Sequence, residues 1–173
     1  MIEGSLVTLR AIEPSDVDFF YHLENNPELW QDGFNKHPLS RHALLDFVER
    51  SMEGDIYSLH QERLLIVTND TREIVGCVDA FEVNPFDLTC EIGVVVDEPF
   101  RRKGYATDAV RTMIMYLSRV VGLHTIDAKV RSTNAASVAL FRACGFRECG
   151  VLPQHIRIQD SWDDVLLMSY IVK

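Results

Sequence analysis

An apolar strand, a short basic loop and an amphipathic helix follow one another between Val94 and Thr107, and this segment constrains the fold most. Val94–Val96 is a β-branched run, which favours a buried strand. The basic run Arg101–Lys103 precedes Gly104, and a helical pattern begins directly after this glycine. The start of a helix offers unpaired backbone N–H groups and the positive end of the helix dipole. The segment therefore predicts an α/β chain with an anion site suited to a pyrophosphate.

Hydrophobic periodicity extends this interpretation to the rest of the chain. The predicted strands are Leu6–Arg10, Leu64–Thr68, Ile74–Val83, Thr89–Val96, Thr125–Val130, Phe146–Val151 and Val165–Val172. The predicted helices are Pro14–Asn25, a second one capped by Ser40, Tyr105–Val120 and Ala135–Cys144, with Gly145 as the stop of the last. An antiparallel meander that leads into alternating helices and strands predicts a mixed α/β (α+β) sheet with helices on both faces.

Size, charge and cysteine content narrow the range of functions. A chain of 173 residues favours one domain, residues 1–173. The 17 basic and 26 acidic residues give a net charge of −9, which argues against nucleic acid as a partner and suits either a cationic substrate or plain solubility. No apolar run approaches a membrane span and no basic signal region is seen, so we expect a cytoplasmic protein without a membrane partner. The four cysteines lack zinc-ligand spacing, which predicts reduced thiols and no metal.

The basic loop has two interpretations when it is considered alone. It binds a pyrophosphate, or it is a solvated turn in which Gly104 supplies a positive φ. The loop lacks both the GxxxxGK[ST] pattern of nucleotide-hydrolysing proteins and the GxGxxG pattern of dinucleotide folds. The absence of both patterns argues against nucleoside triphosphate and nicotinamide chemistry.

Three motifs together resemble the Gcn5-related N-acetyltransferases. Arg101-x-x-Gly104-x-Ala106 resembles their [Q/R]-x-x-G-x-[G/A] acyl-CoA loop. Asn134–Phe146 is similar to their N-x-x-[AS]-x-x-L-[YF]-x-x-x-G-F stretch, and Leu6–Asp16 resembles the start of the subgroup with spermidine and ribosomal-protein acetyltransferases. The resemblance implies an N-acetyltransferase domain with a mostly antiparallel sheet of about seven strands. It further implies that this sheet is splayed between the fourth and fifth strands.

The resemblance also implies acetyl-CoA as the acetyl donor, without a metal. Its pantetheine would lie in the splay beside Val94 and Val96, and Asn134 would hydrogen-bond to it or cap the following helix. The pyrophosphate would bind among the loop residues, and a further coenzyme contact would come from the position where many members carry a tyrosine. These residues are Arg101, Arg102, Gly104, Ala106 and Thr107 for the pyrophosphate, and Phe141 at the tyrosine position.

Catalysis requires a group that removes a proton from the amine and a source of a proton for the leaving thiolate. Glu91 matches a glutamate of the subgroup and is the candidate base, with a surface or substrate-orienting role as the alternative. Phe141 stands at the tyrosine position and cannot donate a proton. Ser137 or solvent is left to protonate the thiolate, and the sequence does not separate them.

The predicted reaction is acetyl transfer to a primary amine, with a polyamine such as spermidine as the favoured acceptor. The negative charge and the acidic N-terminal half support a cationic acceptor, although the segment Asn25–His37 over the substrate end carries few carboxylates. The alternatives are a protein or peptide N-terminal amine, as in ribosomal-protein acetyltransferases, and a non-catalytic acyl-CoA sensor. A homo-oligomer is left open. The acidic residues concerned are Glu13, Asp16, Asp18, Glu24, Glu28 and Asp32.

Overall fold

Eight strands form one open sheet in the computed structural model, which describes residues 1–31 and 36–173. The strand order is β1-β2-β3-β4-β5-β6-β8-β7, and every neighbouring pair is antiparallel except the parallel pair β5 and β6. The predicted mixed, mostly antiparallel sheet is confirmed. The strands are β1 (Ile2–Glu3), β2 (Val7–Ala11), β3 (Glu62–Thr68), β4 (Ile74–Asn84), β5 (Thr89–Val96), β6 (Thr125–Arg131), β7 (Arg147–Ile158) and β8 (Ser161–Ile171).

Within the described residues, four α-helices lie between the strands. They are α1 (Val17–Glu24), α2 (Arg41–Met52), α3 (Tyr105–Tyr116) and α4 (Ala135–Ala143); Leu117–Val121 continues α3 as a π-helical turn. The predicted N-cap of α2 is confirmed, since Ser40 Oγ accepts a hydrogen bond from Ala43 N–H at 3.1 Å. The stop of α4 is confirmed as well, because Gly145 follows it with a φ of +95°.

Two hydrophobic clusters pack on opposite faces of the sheet, as the alternation of apolar residues along β3, β4 and β5 requires. The larger cluster lies beneath α3 and α4 and includes Met113 and Ile126. The smaller cluster lies beneath α1 and α2 and includes Phe20 and Leu65. Helices therefore cover both faces. Val94 packs against the first cluster and Val95 against the second, so β5 separates the two.

The sheet exceeds the predicted seven strands because a two-residue strand, β1, extends its edge. The hairpin of β7 and β8 is also longer than predicted. Most of β7 is exposed, and its pairing shifts register between Glu148 and Gly150 and between Leu152 and Ile156. Bulges and two-sided exposure remove the apolar alternation by which a strand is recognised in a sequence.

Candidate active site

A cavity of about 880 Å³ lies between the end of β5, the basic loop and the first turns of α3 and α4. We call it the loop cavity. Its volume falls in the range of ligand sites in proteins. All predicted coenzyme residues but one line it. These are Val94, Val96, Arg101, Arg102, Gly104, Ala106, Thr107 and Asn134.

Backbone N–H groups at the start of α3 point to an anion site in the loop cavity. Gly104 is the N-cap with a φ of +87° and offers no capping side chain. The first helical hydrogen bond is donated by Asp108 N–H to Gly104 O at 3.1 Å, so the amides of residues 105–107 have no acceptor within the helix. These amides and the helix dipole favour a negatively charged group.

The carboxylate of Asp108, in the first turn of α3, would oppose an anion if it faced the cavity. It instead accepts hydrogen bonds from the backbone N–H groups of Leu6 at 2.7 Å, Val7 at 3.0 Å and Ser5 at 3.3 Å. The N-terminal segment thus engages the one acidic group of this turn. Arg101 adds positive charge at the cavity wall, where its Nε donates to Val96 O at 3.0 Å.

The splay predicted between the fourth and fifth strands corresponds to β5 and β6. These strands pair in parallel only from Thr89–Glu91 to Thr125–Asp127. Among the described residues no strand pairs with the β6-facing side of residues 92–96, while β6 stays paired with β8 along its full length. The free edge of β5 therefore offers backbone hydrogen-bonding groups to an extended, amide-bearing ligand in the loop cavity.

The start of α4 forms the opposite wall of the loop cavity. Asn134 Oδ1 accepts a hydrogen bond from Ser137 N–H at 3.1 Å, so the capping role expected for Asn134 is observed. Ser137 is half-buried and lines the cavity. Phe141 does not line it: its side chain is 3% exposed and packs edge-to-face on Phe146, with ring centroids 5.0 Å apart. The structure thus separates Phe141 from the other predicted coenzyme residues.

The spacing of small residues in α4 is a signal that sequence reasoning missed. Three cavity-lining alanines follow one another at intervals of three and four positions, which places them on one helical face. Their small side chains leave room between α4 and the free edge of β5. The alanines are Ala136, Ala139 and Ala143.

A second cavity, of about 530 Å³, opens on the other face of the sheet beneath α1 and α2. We call it the α1–α2 cavity. It shares Leu29, Val94 and Val95 with the loop cavity, so the two cavities meet at the free edge of β5. Two molecules that enter from opposite faces can therefore touch at this point. The wall of the α1–α2 cavity is mainly apolar and aromatic and includes Leu23, Trp30, Leu39, Leu44, Phe47 and Phe81.

A buried charged network in the wall of the α1–α2 cavity also escaped sequence reasoning. Arg63 Nε donates to Asp79 Oδ1 at 2.5 Å, and Nη1 donates to Glu24 Oε1 at 2.7 Å. Burial works to lower the pKa of Arg63, but the two carboxylates outweigh it and raise this pKa above its ordinary value. The guanidinium is therefore a permanent cation. No local pattern joins these residues, because they lie on α1, β3 and β4.

Glu91, the predicted base, lines neither cavity. It faces the α1–α2 side of β5, where its cross-strand partner is Phe81. Its side chain is buried, and Oε2 lies 2.7 Å from Nζ of the half-exposed Lys129. A proton released by an amine bound where the two cavities meet would have to reach Glu91 through water.

The buried thiols offer no nucleophile. Cys77, Cys90 and Cys144 are buried, and Cys149 is exposed. Burial, reinforced by Asp79, raises the pKa of Cys77, the thiol that lines the α1–α2 cavity. Burial likewise raises the pKa of Cys90 to about 12. Such thiols stay protonated near neutral pH, which favours direct transfer over a covalent cysteine intermediate.

The substrate-covering segment Asn25–His37 is described only in part, and Asp32 lies outside the described residues. Of this segment, Glu28 and Leu29 line the loop cavity. Across residues 1–31 and 36–173, no cluster of three or more His, Cys, Asp or Glu side chains has the arrangement of a metal site. In the same residues no helix has the length and hydropathy needed to cross a membrane.

Comparisons with known proteins agree with this architecture. The spermidine N(1)-acetyltransferase of Vibrio cholerae serotype O1 is 27% identical over 165 residues, which cover 95% of this chain and 92% of the relative. The crystal structure of a Vibrio cholerae spermidine N-acetyltransferase with CoA and spermine matches with a TM-score of 0.88 at 24% identity, covering 97% of this chain and 96% of that one. A ribosomal L7/L12 alpha-N-protein acetyltransferase with coenzyme A matches with a TM-score of 0.87 at 21% identity, covering 99% and 97%.

The family profile of the acetyltransferase (GNAT) domain matches residues 7–147, which include β2 to α4 and both motifs of the loop cavity. The chain belongs to the GNAT family and is an N-acetyltransferase.

Proposed function

We propose that this protein transfers the acetyl group of acetyl-CoA to a primary amine of a small polyamine such as spermidine. The observation that carries the proposal is the meeting of the two cavities at Leu29, Val94 and Val95. The donor enters from the loop cavity and the acceptor from the α1–α2 cavity. The whole of residues 1–173 forms the domain that brings them together.

On the donor side, the residues of the loop cavity fit a molecule with a pyrophosphate and an amide-bearing arm. The amides at the start of α3 and the side chain of Arg101 suit the pyrophosphate, and Asn134 and the free edge of β5 suit the arm. Coenzyme A is such a molecule, and both similar solved structures hold it.

The transfer forms a C–N bond and breaks a C–S bond. The amine nitrogen attacks the thioester carbonyl, the amine loses a proton, and coenzyme A leaves as a thiolate that gains one. Because an alkylammonium has a pKa near 10.4, most of the acceptor arrives protonated and must first lose a proton. We assign that proton to Glu91 through water, and the proton of the thiolate to Ser137 or solvent.

Charge and similarity favour a polyamine as the acceptor. The net charge is −9, which attracts a multiply charged cation. A relative that covers nearly the whole chain is a spermidine acetyltransferase. A protein N-terminal amine is the second candidate, since an alpha-N-protein acetyltransferase shares the fold.

Thiol release from acetyl-CoA with a panel of acceptors tests the function. The panel contains spermidine, a peptide with a free N-terminal amine, and the same peptide with that amine blocked as the control. We expect the highest kcat/KM with spermidine. Faster thiol release with the free peptide than with spermidine would indicate a protein substrate. Binding of acetyl-CoA without thiol release on any amine would indicate a non-catalytic sensor.

A further inference from the structure

The charged side chains in the wall of the α1–α2 cavity neutralise one another. Among the described residues, two carboxylates and two guanidinium groups line this cavity, so its wall carries no net charge; they belong to Glu24, Asp79, Arg50 and Arg63. Arg63 donates to both carboxylates, through Nη1 to Glu24 Oε1 at 2.7 Å and through Nε and Nη2 to the two oxygens of Asp79 at 2.5 and 3.3 Å. Charge therefore does not select the part of an acceptor that lies against this wall.

Most of the remaining wall is apolar, and it contains the aromatic side chains of Trp30, Phe47 and Phe81. The indole Nε1 of Trp30 donates to Glu24 O at 2.8 Å, so the polar atom of this ring is satisfied within the protein. The Phe47 ring lies 5.1 Å from the guanidinium carbon of Arg63, a cation–π contact that holds the ring in the wall. Aromatic side chains offer a large apolar contact area and pack well against another ring. The wall therefore suits an apolar, ring-shaped body.

A space opens in the floor of this cavity at Gly93 on β5. A Cβ added at Gly93 would lie 3.6 Å from Phe81 Cε1, and apart from the neighbours along the chain no other atom of the described residues lies within 4 Å of it. Val95 follows two positions later on the same face of the strand, which puts the space about 7 Å from the point where the two cavities meet. The absence of a side chain at Gly93 thus leaves room beside the Phe81 ring.

The distance from this space to the meeting point of the cavities fits a short arylalkylamine. In 2-phenylethylamine two carbons separate the nitrogen from the ring, so bonds of about 1.5 Å put the ring centre about 5 Å and its far edge about 6–7 Å from the nitrogen. An amine nitrogen near Val95 would therefore place the ring above Gly93 and against Phe81. The cavity volume of about 530 Å³ lies in the range of small-molecule sites.

We propose that the α1–α2 cavity also accepts primary amines with an aromatic body, and that Gly93 determines this specificity by leaving room for the ring. The inference goes beyond the proposed function, because it adds a class of acceptor with a single charge, and it rests on that function only for the acetyl transfer. The amine nitrogen forms the C–N bond and loses a proton, and the C–S bond of acetyl-CoA breaks to give a thiolate that gains one. Transfer of the apolar ring from water into the cavity favours binding.

Three acceptors test the inference: 2-phenylethylamine, n-butylamine and spermidine. Their kcat/KM values are measured by thiol release at saturating acetyl-CoA for the wild type, Gly93→Ala, Gly93→Val and the control Gly150→Val. Gly150 lies on the exposed β7 and lines neither cavity, and a Cβ added there would lie 3.4 Å from Leu167 Cδ1. Neither glycine has a positive φ, and valine is favoured in strands, so both positions accept the substitution.

For the wild type we expect kcat/KM for 2-phenylethylamine to exceed that for n-butylamine by at least about 10-fold, since even one methylene group in an apolar pocket changes kcat/KM by about 10-fold to 200-fold. Relative to n-butylamine, 2-phenylethylamine should lose about 3-fold in Gly93→Ala and at least about 10-fold in Gly93→Val, because the added methyl groups occupy the space of the ring. Gly150→Val should keep the wild-type ratio.

Equal use of the two monoamines by the wild type overturns the inference. An unchanged ratio in Gly93→Val, with folding verified by urea unfolding, also overturns it. If Gly93→Val does not fold, the ratio in Gly93→Ala decides in the same way, because the single added Cβ meets Phe81 at an ordinary contact distance.

Spermidine separates this inference from the proposed function. Thiol release with spermidine together with equal use of the two monoamines leaves the polyamine function intact and overturns the inference. Release with 2-phenylethylamine but not with spermidine supports the inference and contradicts the polyamine. If no amine releases thiol, calorimetry of 2-phenylethylamine with the CoA-bound protein decides: weaker binding to Gly93→Val than to the wild type and Gly150→Val supports the ring site, whereas equal affinities, or no binding to the wild type, overturn it.

Discussion

Glu91 and Asp127 are the last residues at which β5 and β6 pair, and the side chain of Glu91 is 9% exposed. Lys129 is half-exposed, so the ammonium end of its ion pair with Glu91 is solvated. Water can therefore approach the pair from the Lys129 side. The ion pair therefore leaves Glu91 able to receive a proton that arrives through water.

If Glu91 is the base, Glu91→Gln lowers kcat/KM by about 10²–10⁴, the usual contribution of general acid–base catalysis. The loss shrinks at high pH, because free amine becomes abundant as the pH approaches the amine pKa near 10.4. Calorimetry should find the affinity for coenzyme A unchanged. Glu148→Gln serves as the control, and a near wild-type rate of Glu91→Gln at pH 7 would leave Glu91 a structural role only.

Ser137, the candidate acid besides solvent, lies in the loop cavity. If Ser137 protonates the thiolate, Ser137→Ala slows thiol release at least about 10-fold, which corresponds to about 1.4 kcal/mol of barrier. Stopped-flow thiol detection and coenzyme A calorimetry separate this from a binding role, in which only KM for acetyl-CoA rises. Ser132→Ala, outside both cavities, is the control, and a harmless Ser137→Ala would assign the proton to solvent.

At the scale of elements, hydrogen bonds from the N-terminal segment to Asp108 keep a negative charge away from the start of α3. Asp108 is bonded by the amides of Ser5, Leu6 and Val7, and Gly4 approaches so closely that an added Cβ would lie 2.6 Å from Asp108 Oδ2. The edge of the sheet therefore holds the carboxylate away from the loop cavity. An anion site on α3 depends on this packing as well as on the basic loop.

Two glycines with the same φ of +87° separate backbone strain from ligand binding. Gly104 lines the loop cavity, and a Cβ added there would lie 3.2 Å from Leu6 Cδ1, whereas no atom of the described residues lies within 4 Å of a Cβ added at Gly122. We expect Gly122→Ala to cost about 1–2 kcal/mol of unfolding free energy because it forces a side chain into the left-handed region, and Gly104→Ala to cost at least as much because of the added contact with Leu6. Only Gly104→Ala should also weaken coenzyme A binding in calorimetry. Unchanged coenzyme A affinity in Gly104→Ala would exclude this loop as the pyrophosphate site.

At the scale of the whole molecule, the sheet separates two cavities that lie on its opposite faces. The loop cavity lies on the α3–α4 face and the α1–α2 cavity on the other, and they join where β5 lacks a partner. The basic loop adds positive charge on the first face, in a chain whose net charge is −9. If the acceptor is a cationic polyamine, as proposed, the negative net charge attracts it while the basic loop attracts the anionic donor.

This charge distribution predicts a salt dependence. At saturating acetyl-CoA, kcat/KM for spermidine should fall on the order of 10-fold between about 0.02 M and 0.5 M salt, because screening weakens the attraction of a multiply charged acceptor. The control acceptor n-butylamine carries one charge and should lose less. Equal salt sensitivity of the two amines would show that the net charge does not steer the acceptor.

Sequence patterns over a few neighbouring residues predicted most of the strands and helices and several residues that line the loop cavity. The strand Thr89–Val96 agrees with its prediction at both ends, and the helix that begins at Tyr105 and the cap at Asn134 were recognised from short-range chemistry. The hairpin of β7 and β8 was predicted too short, since its outer half is exposed on both sides and carries bulges. Such a strand lacks the apolar alternation on which the prediction depends.

The sequence by itself determined the family, the mixed sheet and a set of residues that line the loop cavity, because these depend on neighbours within a few positions along the chain. Only the tertiary structure decided that Phe141 packs in the core, that Glu91 pairs with Lys129, and that the two cavities meet. Side-chain direction at a helix face and the partners of a buried charge are set by packing between distant elements. Arg63 shows this most clearly, since Glu24 lies 39 and Asp79 16 positions away from it.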